Sequence, residues 1–370
     1  MQVRLFKPKV GEQAVLAVAE VLRSGWLGMG PRTAEFEKAL AGFLGVPHAV
    51  AVNTCTSALH LAVKLLGLEK GTEVITTPVT FVATNQVLLY EGLTPVFADV
   101  DPCTGNLTPE TVAARLTPRT GAIMLTHLAG YACDLDGFHS IASRRNLPII
   151  EDCAHACGAK YKGVRVGASG NLSAFSFDAI KNLTTGDGGM LIPRNAAEEQ
   201  RARNLRNMGL TRTAFQRLNE VQSRKHSWEY EIPEVGYRYH MNDIQAAMGL
   251  AQLGVLDADN VRRRQIAARY NRHLGNVPGV TLPTYNPDRE CSYHLYAILA
   301  ENRNALAEKM TERGVTVGVH YSRNDLYPIF QRAEVPNADY FCARVMSLPM
   351  HLDLTDEELD YVCNVIREGW

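Results

Sequence analysis

Lys181 stands alone among aromatic, apolar and small residues in Phe175-Ser176-Phe177-Asp178-Ala179-Ile180-Lys181-Asn182-Leu183, and a glycine-rich run, Thr184-Thr185-Gly186-Asp187-Gly188-Gly189, follows it. Upstream, Pro148-Ile149-Ile150-Glu151-Asp152 puts an acid at the end of an apolar run. A lysine amine can form a Schiff base with an aldehyde. Apolar neighbours desolvate its ammonium form, so a neutral nucleophile is available near neutral pH. A buried, ionised carboxylate keeps a pyridine nitrogen protonated, which an electron-sink ring requires. Taken singly, each signal is weak, since most lysines are solvated and most aspartates at strand ends are caps or turn residues. Together, in this order, they point to pyridoxal phosphate (PLP) chemistry with Lys181 and Asp152 as catalytic residues.

Hydrophobic patterning outlines the elements that would position these groups. Apolar runs at 48–52, 73–76, 94–98, 120–125, 147–151, 172–176 and 189–192 predict strands, and the patterns at 57–66, 85–90, 109–116 and 138–145 predict helices between them. Continuous apolar strands alternating with helices imply an α/β fold with a mainly parallel central sheet flanked by helices. Ligands of such sheets gather at the carboxyl ends of strands. Segments 54–57, 77–81, 152–155 and 176–181 each follow a predicted strand, so four segments converge on one crevice.

Residues 209–234 are polar and irregular, with Arg212, Arg217, Arg224, Lys225 and Trp228, and read as an excursion reaching over the site or a dimer surface, or as a solvated face. From Asp243 a long helix is expected to run to about Leu274. Beyond it, 280–282, 293–299 and 315–320 are strand-like, and 304–313 and 356–367 helical. The expected organisation is a large PLP-binding α/β domain over 1–250, including the N-terminal segment, and a smaller C-terminal α+β domain over 251–370 entered by a long linking helix. No internal repeat or low-complexity segment stands out.

The 370 residues, 46% hydrophobic, are ample for a large core. Lys and Arg total 38 against 39 Asp and Glu, for a net charge of −1, so there is no basic field to drive binding to nucleic acid or a membrane surface. The N-terminus is too short and charged for a signal peptide, and no apolar stretch spans a bilayer, so a cytoplasmic protein is expected. Eight scattered cysteines do not form a disulfide framework in a chain this long. Cys153-Ala154-His155-Ala156-Cys157 has the look of a metal triplet, but no second ligand cluster completes a tetrahedron, so no metal is expected and the thiols read as buried packing.

The chain resembles the DegT/DnrJ/EryC1/StrS family of PLP-dependent sugar aminotransferases, of the aspartate aminotransferase fold type I, over nearly its whole length. The blocks that carry the resemblance are Gly30-Pro31 with Phe36-Glu37, Cys55-Thr56-Ser57-Ala58-Leu59-His60, Thr80-Phe81-Val82-Ala83-Thr84, Pro95-Val96-Phe97-Ala98-Asp99-Val100, Glu151-Asp152, 175–189, Gly236-Tyr237-Arg238-Tyr239-His240-Met241, Asp243-Ile244-Gln245-Ala246-Ala247 and Ser347-Leu348-Pro349. The resemblance implies that Lys181 is the Schiff-base lysine and proton carrier, and that Asp152 is the partner of the pyridine nitrogen. It also implies that Phe81 stacks on the ring, that Thr56, Ser57 and Ser176 hold the phosphate, and that His155 hydrogen-bonds the ring hydroxyl.

Two positions depart from the common pattern: Cys55 replaces a glycine, and His155 a glutamine. Arg238 falls where relatives bring asparagine or lysine to the phosphate of the neighbouring subunit, which implies a homodimer with shared active sites; Asn242 is a second candidate. His294, His320 and Tyr321 match positions lining the substrate cleft, and Tyr131 and Trp26-Leu27 border it. Taken singly, plainer readings exist: Phe81 as core, Thr56-Ser57 as a helix cap, Ser176 as an ordinary polar strand end and Arg238 as a solvated arginine.

The implied reaction moves an amino group from L-glutamate to a nucleotide-linked keto-sugar, with no nucleic acid or membrane partner. Some relatives are PLP-dependent sugar dehydratases in which histidine replaces the lysine. A non-catalytic regulator retaining the fold is a third reading. The sugar, the nucleotide and the aminated carbon are not legible in the sequence.

Overall fold

The computed structural model describes residues 1–219 and 230–370. A seven-stranded sheet runs, from one edge to the other, Val50–Val52, Gly189–Ile192, Leu172–Ser176, Ile149–Asp152, Thr120–Thr126, Glu73–Thr76 and Thr94–Phe97. All strands but Gly189–Ile192 point the same way. Their side chains alternate between two apolar layers. Ala51, Ile75, Ile123 and Leu125 face helices Pro31–Leu44 and Leu135–Arg145, contributing Phe36, Leu40 and Phe138. Val52, Val74, Ala122 and Met124 face helices Cys55–Leu66, Ala83–Tyr90 and Ala196–Leu205, contributing Leu61, Val87 and Leu205. Both faces are thus covered, the condition that lets a parallel sheet be apolar throughout.

A three-stranded antiparallel sheet, Val280–Thr281, Tyr296–Ala300 and Val345–Leu348, shares a core with helices Leu256–Leu274, Arg303–Glu312 and Asp356–Arg367. Val3 belongs to this cluster and bridges Val315.

Several expectations are corrected. The long helix is two, Asp243–Leu253 and Leu256–Leu274, interrupted at Gly254 and Val255. Residues 315–320 form only isolated bridges, Val315 to Val3 and Gly318 to Ser347. Val345–Leu348 is a strand that patterning did not single out. The helix expected at 57 starts at Cys55, capped by Thr54, whose hydroxyl accepts the Ser57 amide at 3.0 Å. In the excursion, Ala214–Asn219 is helical, and Arg217 lies over the Tyr230 ring; Arg224, Lys225 and Trp228 fall outside the described residues.

The outer strand Val50–Val52 leads into this turn and is pinned from its open edge. Glu37 accepts the Ala51 amide at 2.9 Å, and Arg206 donates to both Glu37 and the Ala51 carbonyl. Arg203 adds a 2.7 Å contact to Glu37. Removing one member of a buried pair strands the other charge, so Glu37→Ala should cost about 3–5 kcal/mol. Urea unfolding midpoints check this, with Glu37→Gln expected to lose less.

Candidate active site

Every strand of the large sheet except Gly189–Ile192 delivers its carboxyl end to one edge, and the antiparallel strand begins there. The loops at that edge enclose a cavity of about 450 Å³ whose wall includes Thr56, Phe81, Asp152, His155, Ser176, Lys181, His320 and Tyr321. Eight residues singled out in the sequence thus share one wall.

Asp152 ends its strand 4% exposed. Its Oδ1 accepts the Ala154 amide at 3.0 Å, and its Oδ2 accepts the Thr84 hydroxyl at 2.6 Å. Because the Thr84 proton is spent on Asp152, Thr80 is the donor in the 2.8 Å Thr80–Thr84 contact, and Thr126 in turn donates to Thr80 at 3.3 Å. Three buried hydroxyls are therefore polarised toward one carboxylate. Burial nevertheless pushes the Asp152 carboxyl above its usual range, against the Thr84 hydroxyl, the Ala154 amide and Lys181. A carboxylate with this much hydrogen bonding and no ion pair among the described residues suits a protonated ring nitrogen.

Lys181 follows the sharp turn after Leu172–Ser176, and its amide bonds the Asp178 carbonyl at 3.0 Å. Burial pulls its ammonium below the ordinary range, against the pull of Cys55, Asp152 and Asp178. Its Nζ lies 3.3 Å from His294 Nε2. His294 is buried behind the cavity wall rather than in it, 1% exposed.

Phe81 is 58% exposed and faces the cavity, so the core reading fails. It presents a ring face to whatever fills the space. The first amides of helix Cys55–Leu66, those of Cys55 and Thr56, have no acceptor within the helix and open on the cavity beside Ser176, a ready anion site. Ser57 turns inward, its hydroxyl donating to Asn53 at 2.7 Å and its amide bound by Thr54. Phe81, Asp152, Lys181 and this helix terminus fit a flat, cationic, phosphate-bearing ring.

The His155 Nδ1 accepts the Ala129 amide at 3.3 Å, and its Nε2 meets the Tyr321 hydroxyl at 3.1 Å. Burial pulls His155 well below its ordinary pKa, aided by Lys181 and His320. The ring is therefore neutral, with its proton on Nε2 facing Tyr321. Burial and Lys181 likewise pull His320 down to about 4. The Cys153-His155-Cys157 triplet does not converge: His155 turns to the cavity, while both thiols are buried in the apolar layer. Among the described residues, His127, Glu151 and Cys153 do cluster, but both His127 nitrogens are engaged, by the Cys133 amide and by Glu151.

Other candidates lie elsewhere. Arg238 is exposed and outside the cavity of its own chain. Asn242 caps helix Asp243–Leu253, accepting the Gln245 amide at 2.9 Å. Tyr131 stacks on Tyr285 in a neighbouring cavity, and Trp26 packs edge-on against Phe215. Sequence reasoning gave no role to Thr80, Thr84 or Thr126, whose shared function exists only once three segments meet.

A profile of the DegT/DnrJ/EryC1/StrS aminotransferase family matches residues 8–367. The chain belongs to this family. It is 38% identical to the spore coat polysaccharide biosynthesis protein SpsC of Bacillus subtilis, over 98% of this chain and 95% of that one. The sugar aminotransferase CalS13 of Micromonospora echinospora superposes with a TM-score of 0.92 at 34% identity, covering all of both chains. Spr1654 of Streptococcus pneumoniae, solved in a PMP form and a PLP form, gives TM-scores of 0.92 and 0.91 at 28% identity, covering 98% and 100% of this chain and 98% of its own. The family is PLP-dependent, and the chain has the fold of its sugar aminotransferases. Among the described residues no helix is long and apolar enough to cross a membrane.

The raised pKa of Asp152 fixes the sign of a stability effect in cofactor-free protein. The unfolded state ionises first, near pH 4, so the buried carboxylate costs stability that grows as pH rises toward its native pKa. Cofactor-free Asp152→Asn should melt above cofactor-free wild type at pH 7–8, with the advantage fading toward about pH 4. Melting temperatures across that range check this, and the same variant should bind PLP poorly.

Proposed function

We propose that this enzyme moves an amino group from L-glutamate to the keto group of a nucleotide-linked sugar. The observation that carries the reading is Lys181, a partly buried amine in one cavity with Asp152 and Phe81. The bound cofactor supplies an electron sink for charge developing at the reacting carbon. Asp152 holds the proton of the ring nitrogen, and Phe81 covers the ring face. The amides of Cys55 and Thr56, with Ser176, hold the phosphate, and the His155–Tyr321 pair borders the ring hydroxyl. Lys181 Nζ would take a proton from the amine-bearing substrate carbon and return it at the cofactor carbon on the other side of the shared nitrogen. His320 and Tyr321 contact the incoming sugar.

A lysine at 181 favours amine transfer over the dehydration run by relatives with histidine there, and a complete acid–amine pair argues against a non-catalytic regulator. The name of SpsC suggests a polysaccharide destination for the amino sugar. Eight free cysteines suit a reducing cytoplasm.

We place the enzyme in a homodimer. Val15, Leu16 and Leu22 on helix Glu12–Ser24, together with Ile232 and an 83% exposed Val235, offer apolar surface for a second copy to cover. The exposed Arg238 would then reach the partner's phosphate end.

Lys181→Ala should lose more than about a hundredfold in amine transfer. Wild-type protein with PLP should bleach from yellow on adding L-glutamate, while Lys181→Ala should not. A variant that kept wild-type transfer would end the proposal. Sharing of sites is tested by mixing subunits: Lys181→Ala and Arg238→Ala homodimers should each be impaired, and their hybrid should regain activity because one of its sites is intact.

A further inference from the structure

His294 contacts the reactive amine without belonging to the cavity wall. Its Nε2 lies 3.3 Å from Lys181 Nζ. Its ring is held flat against Phe6, with centroids 5.8 Å apart and planes 6° apart, and on another side packs against His155 at 4.4 Å. Nδ1 is buried and has no partner among the described residues, so Nε2 is the nitrogen with a task. We propose that His294 is a positioning residue that holds the Lys181 amine whenever it is not bonded to the cofactor, accepting a hydrogen bond from Nζ and so steadying its proton-loaded form.

The surroundings keep the proton on Lys181 rather than His294. An imidazolium at 294 would be buried and would face Lys181, His155, Arg263 and His320. Burial, then Lys181, hold its pKa well below the ordinary value. The groups facing Nζ from the remaining elements are Asp152, Asp178 and the Cys55 thiol, itself kept protonated by burial. None of these donates or accepts at Nζ within hydrogen-bond distance, whereas His294 does. A neutral acceptor there lets Lys181 carry a proton between the substrate carbon and the cofactor carbon without passing it into a relay. The carboxylate of Asp152 remains free for the ring nitrogen.

This assignment rests on Lys181 being the proton carrier, so its test reads the amine directly. Protein loaded with pyridoxamine phosphate leaves Lys181 unbonded. Trace labelling by a small amine reagent across pH, with the Lys181 peptide followed by mass spectrometry, gives a midpoint that access alone does not move. Losing a hydrogen bond to a charged group should move the His294→Leu midpoint down, so that about tenfold more Lys181 is reactive at a given pH below it. His294→Gln, which keeps an acceptor, should stay near wild type. In turnover, His294→Leu should lower kcat with KM for both substrates little changed, and His294→Gln should recover part of it. Coincident labelling curves for wild type and His294→Leu overturn the assignment, as does a His294→Gln curve that follows leucine. If those curves coincide while Lys181→Ala is inactive, only the role of His294 falls; if Lys181→Ala stays active, the function itself falls.

Discussion

The site depends on keeping one carboxylate buried and ready to meet a cation. Asp152 sits at the end of a strand inside the sheet, where water cannot screen it, and burial alone favours its neutral form. The protein answers with a backbone amide on one oxygen and a file of threonine hydroxyls, Thr126 to Thr80 to Thr84, on the other. Such an arrangement is costly without a positive partner, and a protonated ring nitrogen is that partner. The neighbouring Glu151 points to the opposite layer, where His127 and Asn171 hold it, so two adjacent acids on one strand serve two faces.

Geometry follows from sheet direction. Because the parallel strands end at one edge, groups from distant segments meet there: the helix terminus at Cys55 and Thr56, the ring of Phe81, the carboxylate of Asp152 and the amine of Lys181. Buried imidazoles at 155 and 294 add hydrogen-bonding groups without adding charge beside the lysine. The cavity can then distinguish its single amine from every solvated lysine of the chain by desolvation rather than by a special chemical group.

Strands 73–76, 172–176 and 189–192 were legible to the residue because they are short apolar runs with both layers to fill. Local pattern says less where tertiary partners decide. Residues 315–320 have strand-like composition, yet Val3 and Ser347 each meet them at a single bridge. The pair Gly254–Val255 breaks a helix whose apolar pattern continues on both sides. In the site, Lys181 and Asp152 stood out because their types are unusual for their surroundings. Thr84 did not, since a threonine after a strand has many ordinary uses and its partner lies 68 residues away. His294 was visible only as a substrate-lining position, because its approach to Lys181 spans 113 residues and two sheets.

The most direct test of this account is the protonation state of the bound ring nitrogen. PLP labelled with nitrogen-15 at that position, bound to the full-length protein, reports it by its chemical shift across pH. A protonated nitrogen is expected at neutral and mildly alkaline pH in wild type, and loss of that proton in Asp152→Asn. A wild-type nitrogen without its proton at pH 7, or a shift indifferent to Asp152, would contradict it.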